Sequence, residues 1–230
     1  THPPGDLQAG ISNEGSIGAD NVAFNGPGVS WKGQNGLFTG GLIFGTTTGG
    51  YANGQIGSFS ISDMTRMESN FSGGFMSNGD FNEITEAKLT DGNAATPYGM
   101  EVLQKSYSNS GEEFLIVRYG FINTTGAAVN DLYAGIFIDW DIANYLTNSG
   151  GYSLSENLVY QFDNAGYYYG MMALENFSGG RVTTATPPGN ARTGSFQYIT
   201  TLNVNSVGAN GDYRTWVGAG PFSAGVGDTV

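Results

Sequence analysis

Six dipeptides cut this 230-residue chain into short pieces: Asn25-Gly26, Asn35-Gly36, Asn53-Gly54, Asn78-Gly79, Asp91-Gly92 and Asn210-Gly211. Asn-Gly and Asp-Gly tolerate the positive φ values of two-residue hairpin turns, so each is read as a point where the backbone reverses. Between them lie strand-like runs. The clearest are "LFTGGLIFG" (37–45), "GQIGSFSIS" (54–62), "YGMEVLQKSYS" (98–108), "EEFLIVRYGFIN" (112–123), "DLYAGIFIDWDI" (131–142), "ENLVYQFD" (156–163) and "AGYYYGMMALE" (165–175). One segment, "GSFQYITTLNV" (194–204), is compatible with a short helix, and its β-branched residues argue against a long one. The 38 Gly, 13 Tyr and 14 Phe fit tight turns joined to half-buried pleated surfaces. The expected fold is all-β: a large antiparallel two-sheet β-sandwich.

"THPPGDLQ" at the start reads as a linker, because its prolines and glycine resist regular structure. The expected organisation is therefore a tail over 1–6 and one sandwich domain over 7–230. The runs from 98 to 175 are apolar on both faces. In "EEFLIVRYGFIN", Phe114 and Ile116 share one side while Leu115, Val117, Tyr119 and Phe121 share the other. This places those strands in the middle of the sandwich and the Gly-rich first third at its periphery. No stretch approaches the roughly 20 continuous apolar residues that a membrane helix needs, so no membrane insertion is expected. No signal peptide is visible, which leaves a cytosolic chain, a processed one or an excised piece.

The formal charge of −12, with 8 basic against 20 acidic residues, argues against nucleic acid as a partner, since phosphate contacts need clustered Lys and Arg. Cysteine is absent and His2 is the single histidine. A hydrolytic triad needs a positioned imidazole, and a zinc shell needs nitrogen or sulfur ligands; neither can be assembled from one histidine in a tail.

The acids at the end of "AGIFIDWDIAN" (134–144) are the most pointed feature. On a strand, Ile136, Ile138 and Trp140 face one way and Phe137, Asp139 and Asp141 the other, which sets the two carboxylates about 7 Å apart on one face. That spacing falls within the range of a glycosidase acid and nucleophile or base. It also suits calcium, which takes six to eight oxygen ligands. Asn144, Asn148 and Asp163 follow, with Gly150 and Gly151 allowing a turn, so the candidate calcium set is Asp139, Asp141, Asn144, Asn148 and Asp163. The bland alternative is a strand end whose acids face water or cap a turn. Aromatic residues raise a third possibility. Trp31, Trp140, Trp216 and Tyr167-Tyr168-Tyr169 are candidates for stacking on a glycan, although strand alternation sends Tyr168 opposite to its neighbours. Asn70, Asn123 and Asn176 begin Asn-X-Ser/Thr sequons, a number expected by chance in this composition.

Four segments occur in a suggestive order: "LQAGISNEGSIG" (7–18), "NGLFTGGLIFGT" (35–46), "YAGIFIDWDIANY" (133–145) and "GPFSAGVGDTV" (220–230). Together they resemble the β-rich domain that follows the catalytic domain of some secreted bacterial subtilisin-like serine peptidases and occurs in related cell-surface proteins. Asp139, Trp140 and Asp141 match its Asp-Trp-Asp strand end. Gly220, Pro221 and Phe222, then Gly227 and Asp228, match the approach to its last strand. The resemblance implies a secreted or cell-surface accessory domain with no catalysis of its own, truncated before a last strand, whose partners are the neighbouring domains of its parent chain. A carbohydrate- or protein-binding module is the alternative, and a glycosidase using Asp139 and Asp141 the second.

Overall fold

The computed structural model describes residues 6–19, 23–67, 77–184, 189–202 and 207–230. In chain order the strands are β1 (Leu7–Ala9), β2 (Ser16–Ile17), β3 (Val29–Trp31), β4 (Gln34–Asn35), β5 (Leu37–Thr46), β6 (Tyr51–Ile56), β7 (Ile61–Ser62), β8 (Thr65–Arg66) and β9 (Glu83–Thr90). They continue with β10 (Met100–Ser108), β11 (Ile116–Asn123), β12 (Val129–Trp140), β13 (Asn148–Ser153), β14 (Leu158–Phe162), β15 (Tyr168–Met172), β16 (Phe177–Thr183), β17 (Val207–Gly211) and β18 (Arg214–Ala224). Helix α1 (Ala191–Thr200) lies between β16 and β17. All pairings between these strands are antiparallel. The fold is all-β, as the turn pattern predicts.

The central sheet runs β16-β18-β12-β5-β6-β7, with β2 beside β5. Strand β12 shows how its two faces are used. Leu132, Ala134, Ile138 and Trp140 point to one side, and Phe137 to the other. Two smaller sheets lie next to each other on the first side. In one (β11-β10-β9-β8), Leu89, Val102 and Phe121 pack on Leu42, Phe44 and Leu132. In the other (β15-β14-β13-β17), Val159, Tyr169 and Met171 pack on Ile138, Trp140 and Val217. The second layer of the sandwich is thus split in two. The far side of the central sheet is covered by α1, whose Phe196 and Ile199 join Ile43, Phe137 and Trp216.

Helix α1 starts earlier than the candidate segment because Asn190 caps it, its side chain accepting from the Thr193 N–H at 2.9 Å. It sits directly on the sheet at Gly218, where a Cβ would come within 2.2 Å of the Ile199 carbonyl oxygen. A small sheet, β1-β3-β4, is fastened by Tyr169, whose hydroxyl donates to Gln34 O at 2.6 Å and accepts from Trp31 N at 3.1 Å.

Two sequence expectations are corrected. The Gly-rich first third is central rather than peripheral: β5 lies between β12 and β6 and nine of its ten residues are buried. Its glycines serve close packing, since a Cβ on Gly41 would stand 2.4 Å from that of Gln55. By contrast β11 is the edge of its sheet, and residues at the C-terminus line that edge. The Phe121 N–H donates to Val230 O at 2.6 Å and the Asn123 N–H to Asp228 O at 2.9 Å. The second correction concerns the turns: Asn53-Gly54 lies inside β6 and Asn210-Gly211 inside β17, and the hairpin joining β3 to β4 turns at Lys32-Gly33 rather than at Asn35-Gly36. Buried Asn53 instead donates to Asp91 Oδ2 and Thr96 O, both at 2.9 Å, and accepts from Arg192 at 3.2 Å. Arg192 is also paired with buried Asp63, which ties α1 to β6. Among the described residues no helix is long and apolar enough to cross a membrane.

Candidate functional site

The acids that end β12 meet the beginning of β18. Alternation holds here: Ile138 and Trp140 enter the core shared with β14 and β15, so Asp139 turns to the opposite face. The sheet register sets Asp139 opposite Arg214 on β18 and Thr39 on β5. Asp212, just before β18, comes with Arg214. Carboxylate oxygens of Asp139, Asp141 and Asp212 lie within 4.8 Å of one another. A 3-10 turn at Gly57–Phe59, after β6, supplies Ser58, whose hydroxyl donates to Asp139 Oδ2.

The charges do not balance. Asp139 is 3% exposed. Its Oδ2 takes the Ser58 hydroxyl and lies 3.4 Å from Arg214 Nε, an ion-pair contact without hydrogen-bond alignment. Its Oδ1 is buried with no partner. Arg214 Nη2 stands 3.7 Å from Asp212, and its guanidinium lies 5.8 Å from the Phe59 ring centre. Three carboxylates therefore share one guanidinium. Burial pushes the Asp139 carboxyl up to about 7; Ser58 and Arg214 oppose that shift, and Asp212 and Asp141 add to it. Asp141 is pushed up to about 6 by burial and by Asp212, against the pull of Arg214. Such a cluster relieves its repulsion by holding a proton or a cation. Its donors are all hard oxygens, the chemistry that calcium prefers.

The five residues of the predicted calcium set divide. Asp139 and Asp141 are together, joined by the unforeseen Asp212. Asn144 caps the 3-10 turn Tyr145–Thr147, accepting from Leu146 N. Asn148 is fully buried and spans the same loop: its Oδ1 accepts from Ile142 N at 3.0 Å while its amide donates to Ile142 O at 2.7 Å and Asn144 O at 3.1 Å. Asp163 Oδ1 accepts from Ala165 N and Tyr167 N in the β14–β15 turn. These three side chains shape loops by hydrogen bonding to backbone.

A glycosidase pair needs a cleft that admits a sugar ring. Clefts lined by Gly10, Ile11, Asn25 and Pro27 and by Leu7, Glu83 and Phe114 do not include Asp139 or Asp141. Trp140 and Trp216 are core residues at 4% and 0% exposure. Trp31 is half-buried, edge-on to Tyr167, with Lys32 4.2 Å from its ring centre. Of the three tyrosines, Tyr169 is buried and Tyr168 is exposed, as alternation requires. Asn123 is fully buried and donates to Ala127 O and Ala224 O, so its sequon is inaccessible in the folded chain. His2 and Asn70 lie outside the described residues.

Fold and site together define an all-β sandwich with an acidic cluster around buried Asp139 at one end of its central sheet. No family model, curated protein or solved structure matches the chain.

Proposed function

We propose that this chain is a non-catalytic accessory domain of a secreted multidomain bacterial protein, of the kind that accompanies subtilisin-like peptidases. In this reading Asp139, Asp141 and Asp212 hold a calcium ion. The observation that carries the metal reading is the unpartnered Asp139 Oδ1, buried among three carboxylates that share a single arginine. The cluster joins the end of β12 to the start of β18, so an ion there clamps two central strands and offsets the repulsion between their acids. Millimolar extracellular calcium is enough for such a role, because extracellular modules bind it with Kd values on the order of 10⁻⁴ to 10⁻³ M. The order of the four sequence segments supports the accessory reading, and neighbouring domains of the parent chain are then the partners.

Calorimetric titration of calcium into chelator-stripped protein at pH 8 tests the metal. The expected result is one site per chain, with more protons released when the titration is repeated at pH 6 than at pH 8, because the carboxyls must be ionised to act as ligands. Binding is lost in Asp139→Asn. Absence of binding heat, together with a melting temperature indifferent to calcium, ends this reading. The accessory reading is tested separately, by incubating the isolated domain with protein and polysaccharide substrates; measurable hydrolysis overturns it.

A further inference from the structure

A second candidate surface lies on the sheet β15-β14-β13-β17. Val159 and Gln161 of β14, and Tyr169 and Met171 of β15, point inward. Their neighbours Tyr160, Phe162, Tyr168 and Met172 therefore stand on the opposite, outer face. Tyr168 is 59% exposed. Phe162 and Tyr168 are directly opposed across the strands, with ring centres 5.0 Å apart and planes 18° from parallel. Tyr160 extends the row at 6.2 Å and 28° from Phe162. It is paired with Gly170 on one side and Gly151 on the other. A Cβ on Gly151 would come within 2.6 Å of the Tyr160 hydroxyl, so the bare backbone lets this ring lean over the sheet. Ser149 and Ser153 of β13 add hydroxyls at the margin of this face. None of these residues is charged, in a chain whose net charge is −12.

The geometry points to a neutral polysaccharide as the occupant of this face. A sugar ring offers an apolar C–H surface to an aromatic ring while its hydroxyls stay in water or meet neutral polar groups. A charged partner finds no countercharge here. Size argues against a protein partner: three strands of five residues span roughly 250 Å², against about 800 Å² per side in a stable protein interface. This inference goes beyond the calcium site and does not depend on it.

Affinity electrophoresis in native gels provides the test, with β-1,4-glucan, β-1,3-glucan, xylan and mannan as soluble probes beside a gel without polysaccharide. The expected result is retardation by at least one of them. Tyr168→Ala, at an exposed position, keeps the melting temperature and weakens retention about tenfold, equivalent to roughly 1.4 kcal/mol. Retention is the same in calcium and in chelator, which separates this proposal from the calcium site. The proposal is overturned by no retardation on any of the four, by equal retention of Tyr168→Ala, or by a dimer in sedimentation that Tyr168→Ala dissolves.

Discussion

Stability should fall as pH rises toward neutrality when no divalent cation is present, the reverse of ordinary acid denaturation. The cause is Asp139. Its carboxyl titrates near 3.8 when unfolded and near 7 when folded. Between those values the folded chain binds more protons than the unfolded one, so stability is highest below about pH 4 and is lost up to about pH 7. A difference of about three pH units at about 1.4 kcal/mol each makes the loss about 4 kcal/mol. Asp141 acts in the same direction but more weakly, because solvent screens a half-exposed group. About 2 kcal/mol of the Asp139 loss falls between pH 5.5 and 8, which for a domain of this size corresponds to roughly 5 °C in Tm. The window from pH 5.5 to 8 is otherwise quiet, since the chain has one histidine and no cysteine. The assay is differential scanning calorimetry in chelator across that window, on the wild type and on Asp139→Asn. The variant keeps the shape and an acceptor for Ser58 but cannot ionise. Its Tm should be nearly flat and above that of the wild type, by the equivalent of about 2 kcal/mol at pH 5.5 and about 4 kcal/mol at pH 8. A wild-type Tm that is level or rising from pH 5.5 to 7, or a variant that is less stable at pH 8, would refute the assignment.

Calcium at about 100 times its Kd should restore about 2.7 kcal/mol to the wild type at pH 8 and nothing to Asp139→Asn, read as a shift in Tm. Arg192→Ala leaves buried Asp63 without its cation and should cost about 3 kcal/mol in urea unfolding; Asp63→Asn combined with Arg192→Ala should recover part of it. Trp216→Ala empties a fully buried site and strands the Ser195 hydroxyl that accepts its indole N–H at 3.0 Å, for an expected loss of about 3–5 kcal/mol by the same measurement. Gly218→Ala should displace α1 and lower Tm, visible as reduced helical signal in far-UV circular dichroism, because the added methyl collides with Ile199.

The sequence was most readable where side chains alternate without interruption. From Ile136 to Asp141 the two-residue period assigned each side chain to its face, and the same rule separated Tyr168 from Tyr169. It failed where glycine removes the signal. In β5 the glycines look like loop formers, yet they are there because Gln55 and Gly15 press on the backbone. Half of the acidic cluster was legible. Asp212 and Arg214 were not, because only the β12–β18 register brings them to Asp139, and register between distant strands leaves no local trace. Asn144, Asn148 and Asp163 have the composition of calcium ligands but serve nearby backbone groups, a use that Asn and Asp favour in turns. Tyr160 and Phe162 were passed over because they alternate with core residues like any amphipathic strand.

The order of strands in the central sheet also sets a timetable. Strand β12 sits between β5, about ninety residues earlier, and β18, about eighty residues later, so its two neighbours come from nearly opposite ends of the chain. Until residues 214–224 have been synthesised, one side of β12 has no partner and Trp216 is absent from the core around Phe137. That side of β12 stays open to unwanted pairing until β18 is made.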